Sequence, residues 1–347
     1  MSTPFRVGLM RGLEHGLMAP EAFALLDAQG IAHDYVDVAG GEVTAEHLVG
    51  YDAIVLLGER FGVPALRDNT RLVAVARWGV GYEAVDVEAC TAHDVCVFLA
   101  TNGVRRPVAV AILTFLLALA LRLQAKDAMV RRADWSRKTE FMGEMLTGKV
   151  LGSLGLGSIA RELFRLATPL EMRHIAHDPF VPDTVAAASG VRLVDKETLL
   201  READVLCINC PLTPQTRRSI GAAELALMKP SAYLINTARG PIVDEAALIA
   251  ALSAGRLRGA GLDVFEREPL PADSPLLAME QVLLAPHALA WTDEMVLGNS
   301  MDDARGLVRL ARGEVPETVL NREVLQRPGF QRKLRDLAER HSAPTNH

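Results

Sequence analysis

Three short segments carry side chains able to move a proton and hold an anion. They are Asn236-Thr237-Ala238-Arg239-Gly240, Asp263-Val264-Phe265-Glu266-Arg267-Glu268-Pro269 and Ala285-Pro286-His287. A cation, a carboxylate and a histidine are what hydride transfer to a 2-keto acid requires. The planar fork of Arg239 can bind a carboxylate and a carbonyl oxygen together and polarise the carbonyl. His287 would give or take the proton, while Glu268 orients the imidazole and favours its charged form. Upstream lies Gly155-Leu156-Gly157-Ser158-Ile159-Ala160. In that turn Gly155 allows the tight bend, Gly157 admits the backbone to a pyrophosphate, and Ala160 is an accepted variant of the third glycine. The amides of Ser158 and Ile159 would then face phosphate at a helix N-terminus.

Such residues need a scaffold, and the bulk properties bound it. The chain has 347 residues, half of them apolar, which suggests two domains of ordinary size with substantial cores. The net charge is −6 with both signs scattered, and no basic tract is interleaved with aromatics, so a nucleic-acid partner is not expected. The amino terminus, Met1-Ser2-Thr3-Pro4-Phe5-Arg6-Val7, has no export pattern. The longest apolar run, residues 108–121, falls short of the roughly 20 residues that a membrane span takes. It reads as a helix buried between domains or subunits, and a soluble cytoplasmic protein is expected. Of the four cysteines, Cys207 and Cys210 have the spacing of a redox or zinc pair. No second ligand pair accompanies them, and the other reading is two small residues at a strand end, so no metal is expected.

Along the chain, strand patterns at 7–10, 35–38, 53–57, 72–76 and 95–99 alternate with helical ones, such as 20–29. This implies a parallel sheet with helices on both faces. Asn102-Gly103 reads as a turn, with Pro107 in the first turn of the long apolar helix. A second series follows: a strand at 149–154, a helix at 159–168, and strands at 172–177, 205–209, 233–236, 259–263 and 282–284. Asp178 ends the second of these strands, 23 positions after Gly155, where a carboxylate binds ribose hydroxyls and repels a 2′-phosphate. Its other reading is a capping or loop aspartate. Pro179-Phe180-Val181 supplies no cation for a phosphate, so NAD is expected rather than NADP.

Taken together, the glycine turn, the run Ala226-Leu227-Met228-Lys229-Pro230 through Asn236-Thr237-Ala238-Arg239-Gly240-Pro241-Ile242-Val243-Asp244, and Gly259-Ala260-Gly261-Leu262-Asp263-Val264-Phe265 resemble the D-isomer-specific 2-hydroxyacid dehydrogenases. The resemblance covers nearly the whole chain. It implies two Rossmann- or flavodoxin-like α/β domains with a cleft between them. The NAD domain, 103–287, would be inserted into a substrate domain formed by 1–102 and 288–347. It assigns the catalytic roles to Arg239, Glu268 and His287. Without that order, each has an ordinary reading as a surface cation, a loop charge and a structural histidine. Cys210 and Pro211 would line the adenine side, with Thr216 close to them. Thr237, Ala238 and Asp263 would flank the nicotinamide, and Asp263 would accept the carboxamide hydrogen bond.

The resemblance also places the amides of Arg77-Trp78-Gly79-Val80-Gly81-Tyr82, chiefly Val80 and Gly81, on the substrate carboxylate; a plain strand–turn is the alternative. Arg60 either reads the distal end of the substrate or is a solvated rim charge. Formate dehydrogenases of the family carry glutamine where this chain has Glu268, which argues against that activity. Departures from the family fall at Ser158, often arginine, at Thr101-Asn102-Gly103-Val104-Arg105-Arg106-Pro107, and at Ala288-Leu289-Ala290-Trp291-Thr292. Arg105 and Arg106 add charge near the cleft or are simply exposed. Trp291 walls the substrate pocket or packs at an interface. The expected protein is an NAD-dependent homodimer interconverting a small 2-keto acid and its D-2-hydroxy acid, with a small uncharged substrate tail. Its rival is a nucleotide-sensing, corepressor-like regulator with the same triad. The chain ends shortly after Leu337-Ala338-Glu339, so no regulatory domain of the long phosphoglycerate dehydrogenases is expected.

Overall fold

The computed structural model describes residues 4–342. The first three residues of the amino-terminal segment and the last five of the chain lie outside the described residues. The chain divides into two compact units, Met1–Val104 with Trp291–His347, and Arg105–Ala290.

The first unit is built on a five-stranded parallel sheet of β1 (Arg6–Met10), β2 (Ala32–Val36), β3 (Ala53–Leu56), β4 (Ala74–Arg77) and β5 (Cys96–Leu99). Their order is β2-β1-β3-β4-β5, the flavodoxin-like winding. Continuous apolar runs such as Ala53-Ile54-Val55-Leu56 are buried throughout, as a parallel sheet covered on both faces demands. β2 starts three residues earlier than the apolar pattern suggests. Its partner β1 sets the register, Arg6 opposite Ala32 through Met10 opposite Val36, and recruits Ala32 with polar His33 and Asp34 at the sheet edge.

The second unit has seven parallel strands: β6 (Val150–Leu154), β7 (Arg173–His177), β8 (Arg192–Leu193), β9 (Val205–Ile208), β10 (Tyr233–Asn236), β11 (Gly259–Leu262) and β12 (Val282–Leu284). The order is β12-β11-β10-β9-β6-β7-β8, with the winding reversing between β6 and β9. This is the doubly wound dinucleotide-binding plan. β8, two residues long, had no readable apolar pattern.

The helix Asn102–Ala120 corrects two sequence expectations. Asn102-Gly103 lies inside the helix rather than in a turn. Gly103 is needed because the helix Asp293–Ala311 crosses it closely: a Cβ there would lie 2.4 Å from the Asn299 amide nitrogen. Asn102 anchors the start by donating its amide to Asp302 at 2.8 Å. At 19 residues the helix is also long and apolar enough to cross a membrane by length and composition alone. Half of it is buried in the protein, however. Ile112, Phe115, Leu116 and Leu119 join the core of the second unit. Phe115 lies where a Cβ on Gly261 of β11 would be 2.7 Å from its ring, so that glycine lets helix and sheet touch.

Candidate active site

In the second unit, the expected cofactor and catalytic residues gather at one edge, beyond the carboxyl ends of the parallel strands. The glycine turn follows β6, Asp178 follows β7, Cys210 follows β9, Thr237 to Arg239 follow β10, Asp263 follows β11 and His287 lies beyond β12. That edge is where open α/β sheets bind ligands. Lys229 of the long family run lies elsewhere: its ammonium holds the Glu202 carbonyl and the Asp204 carboxylate, each at 2.7 Å, in a structural role.

Gly155 has φ +96, and a Cβ there would lie 2.8 Å from the Asn209 carbonyl, so only glycine fits. Around a Cβ on Gly157 there is open space. The helix Ser158–Ala167 begins immediately after, and the Ser158 and Ile159 amides make no hydrogen bond among the described residues. Asp178 accepts from the Leu156 amide at 2.8 Å and the Phe180 amide at 2.9 Å, which ties the acid to the glycine turn. Thr216 donates to the Pro211 carbonyl at 2.6 Å and fixes that loop. Burial pushes the Cys210 thiol up to about 11 and that of Cys207 higher, so neither is poised for thiolate chemistry. Thr237 keeps a buried hydroxyl without a partner among the described residues. Free amides at a helix N-terminus, open space over Gly157 and an orphaned hydroxyl fit a dinucleotide.

His287 Nδ1 lies 2.8 Å from Glu268 Oε2. The other carboxylate oxygen, Oε1, accepts the Phe265 amide at 3.0 Å, so the carboxylate is held at both ends. Burial would raise the Glu268 pKa. The hydrogen bonds from His287 and Phe265, and the positive charges of His287 and Arg239, outweigh it and hold the carboxyl below its ordinary value. An apolar cavity of about 570 Å³ flanks the pair, lined by Phe265, Pro269, Leu270, Leu277, Leu284 and Pro286.

His287 has φ +55, an uncommon conformation for a non-glycine residue. Asp263 over-determines it: Oδ1 accepts the Ala288 amide at 3.0 Å and the Leu289 amide at 3.2 Å. Burial pushes the Asp263 carboxyl up, against those two donors. Arg239 sits at the mouth of the next turn. Asn236, fully buried, braces that turn by accepting from the Ala238 amide at 3.0 Å and donating to the Arg239 carbonyl at 2.9 Å. Asn236 was not singled out from sequence as functional. An asparagine two residues before the end of a turn is the available signal.

Of the residues expected to meet the substrate, Val80, Gly81, Arg60 and Trp291 belong to the first unit. The Gly79, Val80 and Gly81 amides make no hydrogen bond among the described residues, although Gly79 and Gly81 are buried. Arg60 is exposed, and its loop is shaped by Glu59, whose carboxylate caps the Leu57 and Gly58 amides at 3.0 Å. Trp291 is half-exposed and meets buried Trp78 edge-on, with centroids 6.2 Å apart. Arg106 pairs with Glu162 at 3.2 Å, and Arg105 is exposed.

A doubly wound sheet carrying a glycine turn after its first strand and an acid after its second defines a nucleotide-binding α/β protein. Residues 113–288 match the D-isomer specific 2-hydroxyacid dehydrogenase, NAD binding domain. The chain belongs to that family of NAD-dependent dehydrogenases, and NAD is its cofactor. It is 39% identical to a glyoxylate reductase of Aeropyrum pernix over 79% of this chain and 84% of that protein. It is 38% identical to a D-3-phosphoglycerate dehydrogenase of Methanocaldococcus jannaschii over 82% of this chain, and spans about half (55%) of the length of that relative. Its structure resembles that of a glyoxylate reductase from Paecilomyes thermophila, with TM-score 0.80, 26% identity, and coverage of 91% of this chain and 98% of the other.

Proposed function

We propose that the protein reduces a small 2-keto acid to the D-2-hydroxy acid with NADH, or runs the reverse reaction. The carrying observation is the His287–Glu268 pair at 2.8 Å, on a loop pinned by Asp263. When bound, the nicotinamide supplies the hydride. Gly155, Gly157, Ser158, Ile159 and Asp178 would hold the dinucleotide phosphates and ribose, Cys210, Pro211 and Thr216 its adenine side, and Thr237, Ala238 and Asp263 its nicotinamide end. His287, hydrogen-bonded to Glu268, donates a proton to the carbonyl oxygen during reduction and takes it back in oxidation. Arg239 polarises the same carbonyl and holds the substrate carboxylate, a task its planar fork suits better than a point charge. The unpartnered amides of Val80 and Gly81 are proposed as further carboxylate donors, and Arg60 and Trp291 as the residues met by the rest of the substrate.

The test is NADH oxidation by the purified protein with glyoxylate, hydroxypyruvate and longer 2-keto acids, with chiral analysis of the product. D-2-hydroxy acid is expected. Binding of NADH without turnover of any acid would leave a nucleotide sensor instead.

We further propose a homodimer. Among the described residues, eight of the fourteen exposed large apolar side chains lie between residues 110 and 145, among them Val110, Leu117, Leu121, Val130, Trp135 and Met142. So concentrated an apolar surface is typical of an interface. Sedimentation should give a dimer, and Leu117→Lys should shift it to monomer.

A further inference from the structure

Beneath the Gly79 turn lies a buried polar cluster that the reaction as described does not use. Asn299 and Asp303 sit one turn apart on the helix Asp293–Ala311, both fully buried. Among the described residues, neither Asn299 Nδ2 or Oδ1, nor Asp303 Oδ1 or Oδ2, has a hydrogen-bond partner. Ser300, between them and equally buried, is satisfied: it accepts the Ala19 amide at 3.0 Å and donates to the Leu17 carbonyl at 3.2 Å. Burial pushes the Asp303 carboxyl far up, and the nearby charge of Arg77 only partly offsets this. Four orphaned polar atoms on one helical turn cost stability, each on the order of 1–3 kcal/mol in proteins generally. Packing therefore does not account for these residues, whereas function can.

What they face is the end of β4. Arg77 donates through Nη1 to the carbonyl of Trp78, and thus grips the peptide that enters Gly79. Gly79 has φ +113, and a Cβ there would lie 3.9 Å from Arg77 Nη1 and 4.0 Å from Asn299 Nδ2. Asp303 sits close enough to Arg77 to feel its charge. Asn299 is itself wedged against Gly103, leaving it little freedom. Immediately past this point come the Val80 and Gly81 amides, which find no acceptor among the described residues.

We propose that Asn299 and Asp303 are positioning residues for the carboxylate-holding turn, fixing Arg77 and Gly79 from behind so that the Val80 and Gly81 amides converge on the substrate. The inference rests on the proposed role of those two amides. It separates two properties that normally fall together. Replacing either residue with leucine removes orphaned polar atoms and should leave stability equal or higher, yet loosen the turn and weaken the acid.

The probe is oxamate, a carboxylate analogue of the keto acid, titrated into the NADH complex, beside steady-state kinetics with glyoxylate. In Asn299→Leu and Asp303→Leu, oxamate Kd and glyoxylate KM should rise about tenfold or more, with kcat and NADH Kd nearly unchanged and Tm no lower. Asp303→Asn, which keeps the shape and folds with the least disturbance, should recover part of the loss. Val80→Pro, lacking one amide, should weaken oxamate as well. Oxamate Kd within about twofold of wild type in all three Asn299 and Asp303 variants, while Val80→Pro weakens it, overturns the inference alone. Weakening that appears only in step with a lower Tm overturns it too. Unchanged oxamate binding in Val80→Pro removes the amide reading and the inference with it.

Discussion

A Cβ on Gly240 would lie 1.9 Å from the carbonyl carbon of Phe265. The turn carrying Arg239 is therefore pressed against the backbone of the loop carrying Glu268, with no room for any side chain between them. The contact fixes how far Arg239 stands from the carboxylate that pairs with His287.

Gly240→Ala should disrupt both turns at once. Backbone atoms cannot swing aside as a flexible side chain can, so the cost should be at the upper end of overpacking changes, about 3 kcal/mol or more. A lower Tm and a loss in kcat with little change in NADH affinity are expected. An alanine variant with wild-type Tm and turnover would show that the two loops do not depend on each other.

His287→Ala should slow the chemical step by about 10²–10⁴-fold, the usual worth of a positioned acid–base group, and leave NADH binding nearly intact. Single-turnover measurements isolate that step. Turnover near wild type in the variant would remove His287 from the reaction.

Glu268 is held below its ordinary carboxylate value by His287, the Phe265 amide and Arg239. A depressed carboxylate contributes its pairing at neutral pH and loses it as pH falls through the lowered value. Glu268→Gln removes the negative charge over the whole neutral range, so the cationic imidazole loses its partner. For reduction, which needs that cation, the alkaline limb of the rate profile should move to lower pH, with partial activity kept by the hydrogen bond. A limb that stays in place would mean the pair is not coupled to catalysis.

Much of this was legible in the sequence because the chemistry sits at strand ends. Glycine spacing, the acid after the second strand and the three segments proposed as catalytic are local signals, and each strand that positions them carries its own apolar run. Features set by distant contacts were not legible. Asn102-Gly103 looks like a turn, but it lies in a helix start packed against the distant Gly298-Asn299 and bonded to Asp302. The edge strand Ala32–Val36 takes its register from β1, not from its own pattern. Asp263 reads as a cofactor ligand, while its two hydrogen bonds to the Ala288 and Leu289 amides also give it the histidine loop to hold.

Asp178 should make the enzyme prefer NADH. Its carboxylate lies after β7 and is tied to the Leu156 and Phe180 amides, so it cannot easily turn away from a 2′-phosphate. Asp178→Ala should lower kcat/KM with NADH and narrow the NADH-to-NADPH ratio by about tenfold or more. A wild-type protein that already favours NADPH would contradict this reading.

The last prediction concerns the tail of the substrate, on which the two relatives divide. One is named for glyoxylate, with no tail, the other for a phosphorylated acid. Three arginines bear on the choice. Arg106 is exposed and meets Glu162 at 3.2 Å, a carboxylate that Arg165 also holds at 2.7 Å. Arg105 and Arg60 are exposed, and an exposed ion pair contributes only about 0–1 kcal/mol. Trp291, edge-on to buried Trp78, is proposed as an apolar wall instead. A small uncharged tail is therefore expected, with kcat/KM for glyoxylate and hydroxypyruvate above that for 2-ketoglutarate and phosphohydroxypyruvate. A preference of more than about tenfold for the doubly anionic acids, equivalent to about 1.4 kcal/mol, would reverse that expectation. Arg60→Ala then locates the cause: if that preference disappears in the variant, the Glu59-capped loop reads the second anion, and if it persists, the reader lies elsewhere.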